Sequence, residues 1–209
     1  MSLRVPPPDR LFDVFGGIDI SLFDQLLRGR IPSSMRVLDA GCGGGRNMVY
    51  LLRAGLSVCG IDEDRAAVEA ARAQAEELGV TDASTRIVEG VVDALPWADA
   101  SFDVVISSAV LHFARDDAHF VGMVREMWRV LAPGGLLFSR LASTEGIATQ
   151  VRSLGNRRYA LPDGSSRFLV DASMLAGLTA RLGGTLVDPI RTTLVHEQRS
   201  MTTWIVRRP

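Results

Sequence analysis

The feature that most constrains this chain is a repeated alternation of short apolar runs with helix-forming stretches. Residues 35–39 (MRVLD), 56–62 (LSVCGID), 85–89, 102–107 (FDVVIS) and 136–141 each read as a strand. Between them, residues 46–54 are helical and stop at Gly55. Residues 64–78 (DRAAVEAARAQAEEL) form an alanine-rich helix, with Asp64 as its N-cap and Gly79 as its stop. A third helix starts at Asp116 or Asp117 and runs to about Leu131. Its Phe120, Met123, Val124, Met127, Val130 and Leu131 share one face at helical spacing, which predicts core packing. Pro133-Gly134-Gly135 reads as a break before the fifth strand. This alternation predicts an α/β fold, a parallel sheet covered by helices on both faces.

Past the fifth strand the pattern loosens. Residues 143–170 are long for a connection, and Asp163-Gly164 within them signals a hairpin turn between two short extended runs. A last helix is predicted over 171–182, then two strands over 185–195 and 201–207 with a turn at about 196–200. The 209 residues fit one domain. Within it, residues 1–30 read as a tail and lid segment, 35–141 as the core, 143–170 as an insertion, and 171–209 as the last helix and final two strands. The proline-rich start (MSLRVPPPDR) reads as an extended tail without the apolar stretch of a signal peptide. Two cysteines, Cys42 and Cys59, fit a reducing cytoplasm. A formal net charge of -1 gives no overall pull toward nucleic acid or an anionic membrane, and no apolar run suggests a membrane span.

The first strand leads through Asp39 into a glycine loop, VLDAGCGGGRN, and then a helix. That order places backbone N–H groups at a ligand. A dinucleotide fingerprint needs G-x-G-x-x-G/A. Gly41 and Gly43 fill the first two places, but Arg46 stands in the third. Asp39 would also repel a pyrophosphate, whereas it would attract a cation. S-adenosylmethionine (SAM) has no phosphate, and it carries an ammonium and a sulfonium. Asp62 ends the second strand about 20 residues beyond the first glycine, the position that binds an adenosine ribose. It can also be read as a cap of the next helix, as can Glu63 and Asp64. Cys42 in the loop reads as a small packing residue rather than a nucleophile.

With these residues in view, the chain resembles the class I SAM-dependent methyltransferases, especially the small type 11 and type 12 kind. VLDAGCGGGRN is similar to the family's first motif, and VCGIDEDRAAVEAAR to its second strand with the ribose acid. VEGVVDALPWADASFDVVISSAVLHFARD and RVLAPGGLLF are similar to the later segments. The resemblance implies a Rossmann-like, seven-stranded, mostly parallel sheet with its last strand antiparallel. It places Asp39, Gly41 and Gly43 along the methionine part of SAM, Asp62 on the ribose, and Glu63 beside the adenosine. It places Asp93 at the adenine amino group, Ala94 backbone at a ring nitrogen, and Ser107 near the methionine end. S-adenosylhomocysteine would be the product. Phe12, Phe15 and Phe23 in the segment before the core could cover the cofactor.

Methyl transfer from a sulfonium needs alignment more than acid–base groups, so no triad or metal cluster is required. His112, His119 and His196 lack metal-ligand spacing. Ligands bind outside the carboxyl ends of parallel strands. The segments there carry His112 and Phe113, then Arg140, then His196, Glu197 and Arg199. His112 is the candidate catalytic residue. Phe15, His112, Arg140, His196 and Arg199 are the candidate substrate residues. Arg152, Arg157, Arg158 and Arg167 in the insertion could add a basic wall. The expected partner is a small-molecule methyl acceptor, with neither nucleic acid nor membrane. A non-catalytic SAM-binding module and an NAD-dependent oxidoreductase are the alternatives.

Overall fold

The computed structural model describes residues 6–196 and 198–209. Met1 to Val5, the first half of the expected tail, and Glu197 of the final turn lie outside the described residues. The chain divides into two compact units, residues 1–90 and 91–209.

In the first unit, β1 (Arg36–Ala40), β2 (Ser57–Asp62) and β3 (Ile87–Glu89) are parallel neighbours. Val37, Leu38, Ala40, Val58 and Ile61 are all buried, the signature of strands covered on both faces. Among the described residues, α1 (Leu11–Phe15), α2 (Ile20–Leu27), α3 (Met48–Arg53), α4 (Arg65–Glu77) and α5 (Ala83–Arg86) accompany them. Asp64 caps α4 by accepting a hydrogen bond from the Ala66 N–H at 2.9 Å. Val68, Ala71 and Ala75 are its buried stripe. Two expectations fail here. Thr85 and Arg86 are not in the third strand but in α5, because the Thr85 N–H and hydroxyl both bond back to the Asp82 carbonyl and Arg86 pairs with the Asp82 carboxylate. Pro8–Arg10 form a 3-10 turn leading into α1, not an extended tail.

The segment before the core is docked within this unit. Asp19 caps α2 through the Ser21 N–H, and its own N–H donates to the buried Asn47 Oδ1 at 2.9 Å. Phe15 packs edge-on to Phe23 and against Tyr50.

In the second unit, β4 (Phe102–Ser108) runs parallel to β5 (Leu131–Ala142). β11 (Arg199–Arg207) is antiparallel to β5, and both β9 (Thr185–Leu186) and β10 (Arg191–Val195) are antiparallel to β11. Within this unit the final long strand, β11, is thus reversed between β5 and its two short neighbours. α6 (Asp117–Val130) is capped by Asp116, and Phe120, Met123, Val124, Met127 and Val130 are buried as their spacing predicts. α7 (Ala172–Arg181) is capped by Asp171. The fully buried Trp204 donates its indole N–H to Thr179 Oγ1 at 2.9 Å.

The Pro-Gly-Gly stretch does not break the chain before β5. It is a bulge within it: the register shifts between Phe102 and Val104, and Gly134 takes φ +77°. A Cβ at Gly135 would lie 2.7 Å from the Ala132 carbonyl oxygen, so only glycine fits. The strand expected over 185–195 is split into β9 and β10, with Pro189, which has no N–H for the ladder, between them.

The insertion folds as a small antiparallel sheet, β6 (Arg152–Gly155), β7 (Arg158–Ala160) and β8 (Ser166–Phe168). The Asp163-Gly164 turn joins β7 to β8 as expected. β6 was not anticipated, because its turn is Asn156-Arg157 rather than Asn-Gly. Both residues sit at positive φ, +51° and +55°. Arg157 is held there by Asp171 at 2.8 Å and Asp117 at 3.3 Å.

Arg129 organises residues 95–99. It bonds the carbonyls of Leu95 and Trp97 and the carboxylates of Asp99 and Glu126, and Glu126 in turn accepts from the Leu95 N–H. Hydrogen bonds to charged groups are worth about 1.5–3 kcal/mol when sheltered, and less where water screens them. Arg129→Ala is therefore expected to cost about 1–2 kcal/mol. Urea unfolding should show a lower midpoint at unchanged slope; an unchanged midpoint would mean this hub adds nothing.

Candidate functional site

The glycine loop of the first unit is tied to both strands before it. The Gly41 and Cys42 N–H groups donate to the Ile61 carbonyl at 2.8 and 3.0 Å. The Gly43 N–H donates to Asp62 Oδ2 at 2.8 Å, and the Asp64 N–H to Asp62 Oδ1 at 3.0 Å. Asp62 thus holds the loop and the turn into α4 together, while Asp64 does the capping. A carboxylate has about four lone-pair sites, so two remain for a ligand. Gly41, Gly43 and Gly45 all lie at positive φ, +81°, +52° and +85°. A Cβ on Gly45 would sit 3.3 Å from Ala71 Cβ and 3.0 Å from Gln74 Oε1. Gly45 therefore provides the close helix approach that Arg46, in the third fingerprint place, cannot. Cys42 packs against Gly60, where an added Cβ would meet its sulfur at 3.0 Å. Burial, with Asp39 and Asp62 adding to it, raises the Cys42 thiol far above the usual range, which fits packing rather than nucleophilic chemistry.

Asp39 is fully buried, and neither carboxylate oxygen has a hydrogen-bond partner among the described residues. Burial raises its pKa to about 7, against the pull of Arg46 and with a push from Asp62. An unpaired buried carboxylate is costly, and a cationic ligand would relieve it. Glu63 is exposed.

In the second unit, Asp93 faces His119, with Nε2 3.3 Å from its Oδ2. His119 Nδ1 accepts the Arg115 N–H at 3.1 Å, so its ring proton lies on Nε2, toward Asp93. His119 was not singled out as a site residue, since a helix-borne histidine four residues from Arg115 carries no sequence signal. The Ala94 N–H makes a long bond to the Val91 carbonyl at 3.3 Å. Ser107 is fully buried at the end of β4 and its hydroxyl has no partner among the described residues.

Beyond the end of β4 a cavity of about 350 Å³ opens, within the roughly 300–1,000 Å³ range of small-molecule sites. Its wall includes His112, Phe113, Arg140, Leu161, Arg167, Val195, Arg199 and Met201. The structure thus brings together three of the five candidate substrate residues, His112, Arg140 and Arg199. His196 is exposed at φ +49° and outside that wall, and Phe15 belongs to the aromatic cluster of the first unit. Of the four insertion arginines only Arg167 lines the cavity. Arg157 is consumed by Asp117 and Asp171, Arg158 bonds the Ala114 carbonyl and Ser166, and Arg152 is exposed. Ala109, which also lines the cavity, holds the left-handed conformation at φ +65° and donates its N–H to the Arg140 carbonyl at 2.7 Å.

His112 is 7% exposed, and its Nδ1 has no partner among the described residues. Burial first, then Arg167 and Arg199, lower its pKa to about 4. It is neutral at pH 7, so it can accept a hydrogen bond, but it is a weak base.

Comparison with known proteins agrees with this architecture. Residues 38–139 match the methyltransferase domain family. The chain is 37% identical over 141 residues to the 27-O-demethylrifamycin SV methyltransferase of Amycolatopsis mediterranei, covering 62% of this chain and 50% of that one. It is 28% identical over 136 residues to the tRNA 5-carboxymethoxyuridine methyltransferase of Escherichia coli, covering 65% and 51%. The fold is similar to the crystal structure of magnesium protoporphyrin IX methyltransferase from Synechocystis with bound S-adenosylhomocysteine, with TM-score 0.72 and 18% identity over 100% of this chain and 90% of that one. The fold is that of the Rossmann-like methyltransferases. The match over residues 38–139 and these relatives support a place among the class I SAM-dependent methyltransferases. It spans about half the length of the curated relatives it matches. No helix among the described residues is long and apolar enough to cross a membrane.

The two buried titrating groups pull stability in opposite directions. The His112 pKa is lower in the folded state, so its contribution is present above about pH 6.5 and is lost as pH falls toward 4. The Asp39 pKa is higher in the folded state, so its contribution is present below about 3.8 and is lost as pH rises through 7. Relative to wild type, Asp39→Asn should become less stable as pH falls from about 6.5 to 4, and His112→Gln more stable, each by about 1.4 kcal/mol per pH unit. Denaturation across that range checks both. Parallel profiles for all three proteins would contradict the burial argument.

Proposed function

We propose that this protein is a methyltransferase that carries a methyl group from SAM to a small-molecule acceptor. The observation that carries the reading is the buried Asp39 carboxylate, unpartnered beside a glycine loop whose hinge acid, Asp62, keeps two acceptor sites open. An anionic pyrophosphate would raise the cost of Asp39. A ligand with an ammonium group and ribose hydroxyls fits both acids. SAM, when bound, supplies a methyl already activated by its sulfonium.

The chain's own part is to bind and orient. Asp39 takes the ammonium, Asp62 takes ribose hydroxyls, and Gly41 and Gly43 let the backbone approach closely. Glu63 has a peripheral place beside the adenosine. In the second unit, Asp93, Ala94 and Ser107 keep the roles the family implies for them. His112 accepts a hydrogen bond from the acceptor in the cavity and so fixes its orientation; with a pKa of about 4 it is a positioning group more than a general base. The volume of the cavity suits a small molecule. Because one relative is named for a tRNA substrate, an acceptor screen includes tRNA beside metabolite pools, with transfer of labelled methyl as readout. Transfer to tRNA alone would overturn the small-molecule assignment.

Two binding measurements test the cofactor site. At pH 6, Asp39 with a pKa of about 7 is mostly protonated, so pairing with a cation releases its proton. Calorimetry in buffers of different ionisation heat should show release approaching one proton per SAM bound, absent in Asp39→Asn. Asp62→Ala should weaken SAM by roughly ten- to a hundred-fold. Binding of NAD in preference to SAM, or full SAM affinity in a folded Asp62→Ala protein, would overturn the reading.

A further inference from the structure

We infer that the cavity beyond β4 selects an organic anion with an apolar body, its charge held by the guanidinium groups of Arg167 and Arg199. This rests on the methyltransferase reading for its role as acceptor site, but not for the binding itself.

Three arginines, Arg140, Arg167 and Arg199, line the cavity, and no carboxylate lies among the lining residues. The guanidinium groups are held in place. Asp163 accepts from both the N–H and the hydroxyl of Ser165, at 2.9 and 2.6 Å, and from Arg199 Nε. Those bonds, the hydroxyl of Ser165 first, hold the Asp163 pKa down to about 2, so the pair stays charged. The Arg199 pair engages Nε, and among the described residues the terminal nitrogens make no other hydrogen bond. A planar fork left open in this way matches a carboxylate or phosphate. Arg167 lies over the Phe113 ring, 4.8 Å from its centroid, with one terminal nitrogen on the Ser166 carbonyl at 2.8 Å. After burial, both arginines also lower the pKa of His112 on the same wall.

The rest of the wall is apolar. Leu161 and Met201 pack with Ala142 and the buried Leu169, and Val195 and Phe113 stand exposed to 39% and 54%. A ligand that meets both halves of the wall carries its charge at one end and an apolar group at the other. Two guanidinium groups give the anion charge-assisted bonds, and the apolar side excludes water from them. A neutral molecule of the same shape would desolvate the remaining N–H donors of two arginines without supplying a charge to meet them.

The test uses the full chain and three probes: phenylacetate, phenyl phosphate and the neutral phenylacetamide. Each is titrated by NMR at low and high salt, beside a separate SAM titration. Anion affinity should exceed that of the amide about ten-fold and fall with salt. Arg167→Gln and Arg199→Gln should each lose most of that preference, keep SAM affinity, and differ from exposed Arg152→Gln, which should match wild type. If Arg199→Gln unfolds, Arg167→Gln still decides. The ratio of phenylacetate to phenyl phosphate binding separates a carboxylate from a phosphate ligand. Equal binding of anion and amide, binding of neither, or wild-type preference in Arg167→Gln overturns the inference. Anion preference without SAM binding would sink the methyltransferase reading and leave the cavity assignment standing.

Discussion

The Asp62 carboxylate reaches back nineteen residues to the Gly43 N–H and forward to the Asp64 N–H. The geometry of the glycine loop and of the turn into α4 depends on that tie. Three positive-φ glycines make the loop tight enough for those bonds, and Gly45 lets it lie against Ala71 of α4. The tie costs only half of the acceptor capacity of Asp62. Asp39 lies one residue before the end of the neighbouring strand β1, and it differs in one respect: nothing among the described residues bonds its carboxylate. Two acids at adjacent strand ends thus have different environments. One is held by two backbone donors and has acceptor capacity left over. The other is buried, repelled by its neighbour, and held half-protonated near neutral pH. A ligand that brings a cation to one and hydroxyls to the other satisfies both at once.

The second unit shows the complementary arrangement. Its insertion is pinned by Arg157 and Arg158 and turned so that Arg167 faces the cavity with Arg140 and Arg199. The positive wall acts on His112, which burial already keeps neutral. A histidine in such a field is more suited to accepting a hydrogen bond than to removing a proton. Buried hydroxyls brace the strands beneath: Ser143 bonds Ser200 at 2.9 Å and accepts from Thr202 at 2.7 Å. Such a chain satisfies the hydroxyls of Ser143, Ser200 and Thr202 beside the β5–β11 pairing.

The amino-acid sequence by itself determined the elements whose signals are local. β1, β2 and β4 were legible as apolar runs, α4 as an alanine-rich run and α6 as a one-faced apolar run, each behind an aspartate cap, and the glycine loop with its two acids as a motif. Periodicity and capping act within a few residues, so they can be read without knowing the fold. Only the tertiary structure decided which acid was paired and which was not, because Gly43 and Asp62 are far apart in the chain. It decided that Arg157 and Arg158 are structural while Arg167 lines the cavity, a distinction set by distant partners at Asp117, Asp171 and Ala114. It also turned Pro133-Gly134-Gly135 from a break into a bulge, since the backbone groups of residues 134–135 pair with the far end of the chain, at Arg208. Charge, spacing and residue type name the groups that can take part. Burial and long-range pairing, which are properties of the folded chain alone, set what each of them does.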